Sequence, residues 1–330
     1  MRTIVASLAA VLALTVVGLG GCGGDGAEPD AGAPGARALE LVLDFQPNAV
    51  HTGLYVADER GYFAERGLDV SLRAPGASTD APKLLRSGRA DLAILDIHDL
   101  AIAREQGANL VGVAAIVQRP LAAVIARNPK AVDTPADLAG ARVGVTGLPS
   151  DDAVLASILE AGGVDPSEVD TVTIGFESVP TLLAGKIDAA TAFWNAEGVT
   201  LSERIPTREF RVDEFGAPPY PELVLVTTPE RLESEREAIE AAVAALEEGY
   251  ATTLADPEGA LRDLLAAVPE LDRTSQAAQL DALLPALGES RALDREVLER
   301  WAAWDARFGI VKAPPDVDAA FDFEVASAAE

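Results

Sequence analysis

Three polar side chains and one aromatic ring follow the first apolar run after the N-terminal region, and together they could hold a small ligand. Asp44, Asn48 and His51 come after the run 39–43, and Phe45 lies among them. A carboxylate at a strand end could accept hydrogen bonds from an exocyclic amine or a ring N–H. A histidine could donate or accept near neutral pH. Turn and capping roles for Asp44 and His51 stay open.

A second polar cluster, Asp96-Ile97-His98-Asp99, follows the apolar run 92–95 and precedes a helical pattern. Two carboxylates and one histidine are a weak metal signal without a second histidine nearby, so we expect no metal. Asp99 is interpreted as a helix N-cap, whereas Asp96 and His98 are expected at the edge of a ligand cleft. No common motif for a catalytic serine, a phosphate loop or a zinc protease occurs, so we expect neither catalysis nor a cofactor.

These clusters belong to an alternation of short apolar runs and helical patterns, which predicts α/β sheets with helices on their faces. The predicted strands are 39–43, 70–72, 92–95, 110–116, 122–126, 142–145, 169–174, 189–193 and 222–226. The predicted helices between them are 52–60, 81–86, 100–106, 152–161 and 179–183. From residue 229 onward only helices are predicted, at 231–253, 257–267, 274–284 and 294–308.

The N-terminal region predicts export and lipid attachment. Residues 1–21 read as a secretory signal peptide, and Leu19-Gly20-Gly21-Cys22 fits a bacterial lipobox in which Cys22 is lipidated. Residues 22–38 are rich in Gly, Ala and Pro and read as a flexible tether. The net charge of −27 argues against a nucleic-acid partner. We therefore expect a protein anchored by lipid to the extracytoplasmic face of the cell membrane.

The segment LDFQPNAVHTGLYVADERGYFAERGLDV, residues 43–70, closely resembles the start of the thiamine-precursor-binding family. Members of that family are substrate-binding proteins of ABC importers for the pyrimidine precursor of thiamine. The family pattern is L-D-W-x-P-N-x-x-H-x-G-x-Y-x-A, followed by G-Y-F-x-x-x-G-L-D-V. Phe45 stands where the family usually has Trp, so the resemblance implies a ring stacked on the substrate with less area.

The resemblance extends to two later segments and implies further binding residues. Related transport proteins have a segment similar to 193–197, which implies that Trp194, Asn195 and Glu197 face the ligand. Residues 215–223 resemble the family segment Y-G-x-P-x-Y-x-E-L, in which Tyr220 would be a second stacking face and Glu222 an anchoring acid. Trp194 as a core residue, and prolines that only stiffen a crossover, remain alternatives.

The resemblance also implies a bilobed periplasmic-binding-protein fold of type II, with two mixed sheets and a helical C-terminal segment. Lobe 1 would comprise 39–126 and 222–330, and lobe 2 would comprise 127–221, with crossings near 125–129 and 217–223. A flat heterocycle would bind in the cleft between the lobes. A monomer would deliver it to an ABC permease and its ATPase.

Two alternatives remain at this point. One is a binding protein for a different solute, such as a flavin, sulfonate or nitrate, although anions should recruit Arg or Lys to the cleft. The other is an enzyme, because fungal members of the wider family make the pyrimidine from pyridoxal phosphate and a histidine of their own chain. Those members carry a lysine close to that histidine and a cysteine-rich loop. Here 95–98 has no lysine and 218–222 no cysteine.

Overall fold

The computed structural model describes residues 35–76, 80–175 and 177–328. The expected signal peptide, Cys22 and most of the expected tether lie outside these residues. The described residues form ten strands: β1 (Arg37–Val42), β2 (Leu68–Arg73), β3 (Leu92–Asp96), β4 (Val111–Val117), β5 (Ala122–Ala126), β6 (Arg142–Val145), β7 (Asp170–Thr173), β8 (Ala189–Phe193), β9 (Arg208–Arg211) and β10 (Leu223–Thr227).

The strands make two five-stranded mixed sheets with the same spatial pattern. The first sheet has the order β2-β1-β3-β10-β4 and the second has the order β7-β6-β8-β5-β9. Strand β1 runs parallel to β2 and β3, and β6 runs parallel to β7 and β8. In each sheet one antiparallel strand, β10 or β5, comes from the segment next to a crossing between the sheets. The predicted α/β fold with two mixed sheets is confirmed.

Strand β5 belongs to the second sheet, so the expected lobe boundary at residue 126 is wrong for this strand. Ala122–Ala126 pairs antiparallel with both β8 and β9. The first crossing therefore falls at residues 118–121, directly after β4, rather than near 125–129. The second crossing lies between β9 and β10. Strand β9 was not predicted, because in its sequence REFR only Phe210 is apolar.

Thirteen α-helices surround the sheets within the described residues. They are α1 (Thr52–Glu59), α2 (Tyr62–Glu65), α3 (Asp80–Arg86), α4 (Ile97–Glu105), α5 (Pro149–Gly162), α6 (Ser178–Leu183), α7 (Val199–Ser202), α8 (Pro229–Ala255), α9 (Pro257–Ala267), α10 (Arg273–Leu287), α11 (Arg295–Arg307), α12 (Val317–Ala320) and α13 (Glu324–Ser327). Short 3₁₀ turns occur at Ala49–His51, Pro135–Leu138, Pro166–Glu168 and Val212–Glu214, and a π-helix at Trp194–Gly198. In the described part of the chain, no helix combines the length and apolarity that a membrane span requires.

Helix α8 packs closely on α1 and thereby fixes the loop that follows β1. A Cβ on Gly249 would overlap the main-chain oxygen of Gly53, so this approach requires glycine at position 249. The hydroxyl of the buried Tyr250 donates to the main-chain oxygen of Val50 at 2.9 Å. Val50 lies in the 3₁₀ turn that carries His51. The C-terminal helices therefore help to position the polar cluster after β1.

Candidate functional site

A cavity of about 350 Å³ lies between the two sheets, at the carboxyl ends of parallel strands from both. Asp44 follows β1, and Leu95 and Asp96 end β3. From the second sheet, Thr146 follows β6 and residues 191–193 end β8. Helix α10 adds Gln276 and Gln279 to the wall. This is the expected cleft position, and six of the eleven predicted site residues line it: Asp44, Phe45, Asn48, Asp96, Asn195 and Glu197.

The cluster after β1 is built around a buried histidine. Nε2 of His51 lies 2.8 Å from Oδ1 of Asp44, and the main-chain N–H of Asn48 donates to Nδ1 of His51 at 3.2 Å. With Nδ1 as acceptor, Nε2 carries the proton and donates to Asp44, a tautomer assigned from these bonds. Asn48 also accepts from the main-chain N–H of Val50 at 2.9 Å and so caps the turn. His51 does not line the cavity: it orients Asp44, which does.

Two phenylalanines supply the aromatic wall. Phe45 is 46% exposed, an unusual value for a large apolar side chain. Phe193 lies at the end of β8 and also lines the cavity. Trp194, the expected stacking residue, is buried outside the cavity, where its Nε1–H donates to the oxygen of Pro120 at 3.0 Å. The guanidinium of Arg211 covers its ring at 4.0 Å. Trp194 therefore has the structural role that the sequence left open.

The roles of Asp96 and Asp99 differ from the sequence interpretation. Asp96, rather than Asp99, is the N-cap of α4, since its Oδ1 accepts from the main-chain N–H of His98 at 2.7 Å. Asp99 lies in the first turn of α4 and lines the cavity. Burial raises the pKa of Asp96 well above its usual range and that of Asp99 to about 6, although His98 acts in the opposite direction on both.

The π-helix after β8 presents Asn195 and Glu197 to the cavity. Glu197 accepts from the main-chain N–H of Phe193 at 3.2 Å, which holds the carboxylate at the strand end. Burial raises the pKa of Glu197 despite this bond. The buried Oδ1 of Asn195 has no hydrogen-bond donor within the described residues, and the same holds for Oε1 of Gln276 and Gln279. These three amide oxygens are almost completely buried.

His98 and Tyr220 form a buried layer that does not reach the cavity. Nδ1 of His98 lies 2.8 Å from Oδ1 of Asp305 on α11, and the ring of Tyr220 meets His98 edge-on at 4.9 Å between centroids. Trp304 packs against both rings. Burial alone would lower the pKa of His98, but the Asp305 carboxylate and neighbouring acids raise it to about 9. The expected contacts of His98 and Tyr220 with ligand are therefore replaced by a structural contact.

Glu222 is also buried outside the cavity wall. Its Oε2 accepts from the main-chain N–H groups of Leu121 and Ala122, at the start of β5. Burial raises the pKa of Glu222 to about 7, although these two N–H groups act to lower it. The carboxylate joins the two crossings between the sheets, which explains why an acid sits in this proline-rich segment without facing a ligand.

Asp96, His98 and Glu222 are the one group of candidate metal ligands within the described residues, with ligand atoms all within 4.8 Å of one another. Two of the three already accept hydrogen bonds from the main chain. Asp96 caps α4 and Glu222 binds two main-chain N–H groups. His98 faces Asp305 through Nδ1, which leaves Nε2 as its free ring atom. Because Asp96 and Glu222 already accept main-chain N–H groups, we assign no metal to this group.

The wall residues that sequence reasoning missed include Asp151, Phe193, Gln276 and Gln279. Asp151 lies in the first turn of α5 and accepts from the main-chain N–H of Thr146 at 2.8 Å. Phe193 could have been found from the sequence, because it lies at the carboxyl end of the predicted strand 189–193. The two glutamines of α10 had no such signal, since only the tertiary fold brings that helix to the cleft.

The cavity wall is acidic and carries no basic side chain among the residues that the structure describes. Five carboxylates line it: Asp44, Asp96, Asp99, Asp151 and Glu197. Arg211, the cation stacked on Trp194, pairs instead with Glu209. The wall thus offers hydrogen-bond acceptors together with two aromatic rings.

Comparison with known proteins agrees with this architecture. The family model described as NMT1/THI5 like matches residues 48–260. A formylaminopyrimidine-binding protein of Halalkalibacterium halodurans is 37% identical over 231 residues, which cover 69% of this chain and 70% of that protein. A 4-amino-5-hydroxymethyl-2-methylpyrimidine phosphate synthase of Legionella pneumophila is 23% identical over 237 residues, covering 71% of this chain and 74% of that one.

Solved structures support the fold. The periplasmic aliphatic sulphonate binding protein of Escherichia coli superposes with a TM-score of 0.72 at 17% identity, covering 86% of this chain and 91% of that chain. Identity this low speaks for the fold alone. The family match spans more than half of the chain, and the chain belongs to the NMT1/THI5-like family.

Proposed function

We propose that this protein is the extracytoplasmic substrate-binding component of an ABC importer and captures an aminopyrimidine precursor of thiamine. The observation that carries the proposal is the interlobe cavity, in which two aromatic rings stand among hydrogen-bond acceptors. Its volume of about 350 Å³ falls within the usual range for small-molecule sites. The related formylaminopyrimidine-binding protein supports the ligand class.

The wall chemistry complements the edge of an aminopyrimidine. Phe45 and Phe193 offer ring faces to a flat heterocycle. Asp44, held by His51, and Glu197, held by the Phe193 N–H, accept from exocyclic amine hydrogens. Because these acceptors come from both sheets, a bound ligand would tie the two lobes together, and closure about the two crossings would trap it.

Binding of an inorganic or organic anion is disfavoured. A sulfonate or nitrate requires cationic or N–H donors, whereas the described wall residues include no Lys, Arg or His. The likeness to a sulphonate binding protein therefore concerns the fold and not the ligand. A flavin would use the same aromatic wall, and the binding experiment below includes it.

We also propose that the protein performs no chemistry on its ligand. A synthase of this family is among its relatives, and His98 is the histidine that invites the comparison. Here that histidine is buried outside the cavity wall against Asp305 and Tyr220. The described wall residues include neither a lysine nor a cysteine nucleophile. Capture and delivery to a permease and its ATPase is the activity that such a wall supports.

Membrane attachment through Cys22 is part of the same proposal. The lipobox and the tether would keep the binding domain next to the permease, at the extracytoplasmic face of the cell membrane. Replacing Cys22 by serine should move the protein from the membrane fraction to the soluble exported fraction. A Cys22→Ser protein that still sediments with membranes would contradict lipid attachment.

The proposed ligand is tested by isothermal titration calorimetry after bound ligand has been removed by unfolding and refolding. The compounds are aminopyrimidine precursors of thiamine, thiamine, riboflavin, taurine and nitrate. Tight binding of an aminopyrimidine alone is expected. Tight binding of another compound would support the transport role and contradict the aminopyrimidine as ligand. If a folded sample binds none of the compounds, the proposed ligand class is wrong.

A further inference from the structure

Arg291, in the segment between α10 and α11, is a cation buried without a close counter-charge. The residue is only 1% exposed. Its Nε lies 3.7 Å from a carboxylate oxygen of Glu247 on α8 and has no hydrogen-bond acceptor within the described residues. A buried charge is costly unless other good contacts compensate it, so the remaining contacts of this guanidinium carry its role.

The guanidinium of Arg291 joins the ends of β4 and α10 to helix α8. Nη1 donates to the main-chain oxygen of Ile116, one residue before the end of β4, at 2.5 Å. Nη2 donates to the main-chain oxygens of Leu287 and Gly288, where α10 ends. The planar face of the group lies over the ring of Tyr250 on α8, 4.8 Å from its centroid. One side chain therefore sets the spacing between these three elements.

Helix α10 carries one part of the cavity wall. Gln276 and Gln279 line the cavity, about three and two turns before the end of the helix. The same end of α10 is held a second time, because the main-chain N–H of Gln118 donates to the oxygen of Ala286 at 2.9 Å. A shift of this end would therefore displace both wall glutamines.

The contact of Arg291 with Tyr250 leads to a second part of the wall. The Tyr250 hydroxyl donates to the main-chain oxygen of Val50 at 2.9 Å. Val50 precedes His51, whose Nε2 lies 2.8 Å from Asp44, a wall residue. Neither Arg291 nor Tyr250 lines the cavity itself. Two parts of the wall that are remote in sequence are thus connected through one buried arginine and one buried tyrosine.

We propose that Arg291 and Tyr250 are positioning residues for the ligand, which hold the Asp44 turn and α10 at one spacing without touching the cavity. The proposal rests on the proposed function and deepens it, because a wall fixed in advance needs less ordering when the ligand binds. Loss of either contact should therefore weaken binding through the wall residues.

Two conservative variants test the two links separately. Tyr250→Phe removes one hydroxyl and keeps the ring next to Arg291, so it breaks only the bond to Val50. Arg291→Lys keeps the positive charge but lacks the planar fork that reaches three main-chain oxygens. Tyr62→Phe is the matched control for the first variant, because Tyr62 shares a hydrogen bond with Thr252 of α8 outside the cavity wall.

Calorimetric titration of the full chain, freed of bound ligand, measures the effect. The probes are 4-amino-5-hydroxymethyl-2-methylpyrimidine and the N-formyl derivative of its 5-aminomethyl analogue. Tyr250→Phe and Arg291→Lys should each weaken binding by about threefold to tenfold, as for the loss of a hydrogen bond. Tyr62→Phe and Arg236→Lys, a cation paired with Asp322 outside the wall, should stay within about twofold of the unmodified chain.

Coupling to Asp44 separates positioning from a general effect on stability. The Tyr250 hydroxyl acts through the turn that holds Asp44. Tyr250→Phe should therefore cost much less affinity in an Asp44→Asn background than in the unmodified chain. A variant that merely destabilises the fold would lose the same factor in both backgrounds.

Hydrogen exchange provides a readout that needs no ligand. The main-chain N–H groups of Asn48 and Val50 are hydrogen-bonded within the turn. They should exchange faster in Tyr250→Phe, which frees the turn from α8, and at an unchanged rate in Tyr62→Phe.

Each outcome decides one point. Unchanged affinity in both Tyr250→Phe and Arg291→Lys would overturn the positioning role and leave the aminopyrimidine importer standing. A loss that is equally large in the Asp44→Asn background would overturn it as well. If Arg291→Lys does not fold, Tyr250→Phe decides. If the unmodified chain binds neither probe, the proposed function fails, and unchanged hydrogen exchange in Tyr250→Phe would overturn the link to the turn independently of any ligand.

Discussion

The carboxylate of Glu222, one residue before β10, accepts a hydrogen bond from the main-chain N–H of Leu121, one residue before β5. Strand β10 returns the chain to the first sheet and β5 takes it into the second. A single buried side chain thus connects the two segments through which the lobes are joined. The bond therefore holds the two crossings between the sheets next to each other.

Removing this carboxylate should destabilise the fold. In Glu222→Ala the buried N–H groups of Leu121 and Ala122 lose their acceptor, and each unpaired group costs roughly 1–3 kcal/mol. We expect the free energy of unfolding to fall by about 2–4 kcal/mol. Urea denaturation measures it. Glu222→Gln keeps a carbonyl acceptor and is the matched control; equal losses in both variants would contradict this explanation.

The buried pair of His98 and Asp305 should make stability depend on pH. The pKa of His98 is about 9 in the folded protein against an ordinary value of 6.5. Between pH 6.5 and 9 the folded state therefore keeps a proton on His98 that the unfolded state has already lost. The resulting stabilisation is complete below pH 6.5 and is lost as pH rises through 9. The slope would approach about 1.4 kcal/mol per pH unit.

Denaturation curves at several pH values check this expectation on the unmodified chain and on His98→Gln. The variant cannot bind the proton and should show a flatter profile between pH 6.5 and 9. Glu222 and Asp99 hold raised pKa values of about 7 and 6, and they add to the decline only at lower pH. Parallel profiles of the two proteins above pH 7 would contradict the assignment of the proton to His98.

The two phenylalanines of the wall should carry the aromatic part of ligand binding. Phe45→Ala and Phe193→Ala should each weaken binding of an aminopyrimidine by roughly 1–3 kcal/mol, the usual range for an aromatic contact in a buried site. Trp194→Phe, outside the cavity, should change affinity much less. Unchanged affinity in both alanine variants would remove stacking from the binding model.

The alternation of short strands and helices could be predicted from the sequence because it follows from local periodicity. The sheet to which a strand belongs could not. Strand β5 is apolar on both faces and fits either lobe, and its place depends on pairing with β8 and β9, far along the chain. Strand order of this kind is decided by contacts between residues remote in sequence.

In the site, too, features that depend on nearby residues could be predicted, and those that depend on remote contacts could not. The loop after β1 could be predicted because its residues are close in sequence and fold together around His51. Phe193 and Trp194 are neighbours, and only one of them faces the cavity; the aromatic pattern does not tell which. Tyr220 packs against His98 and against Trp304 of α11, a helix about eighty residues later in the chain, so its position could not be predicted from nearby sequence.

His51 should act on ligand binding without touching the ligand, by holding Asp44 toward the cavity. Its Nε2–H donates to Asp44 and its Nδ1 accepts from the Asn48 N–H, so His51→Ala frees the carboxylate to turn. We expect His51→Ala and Asp44→Asn each to weaken aminopyrimidine binding. In the double variant the two losses should fall short of additive by about 1 kcal/mol, as for residues in direct contact. His51→Gln retains an N–H donor and should restore part of the affinity, whereas strictly additive losses would show that the two residues act separately.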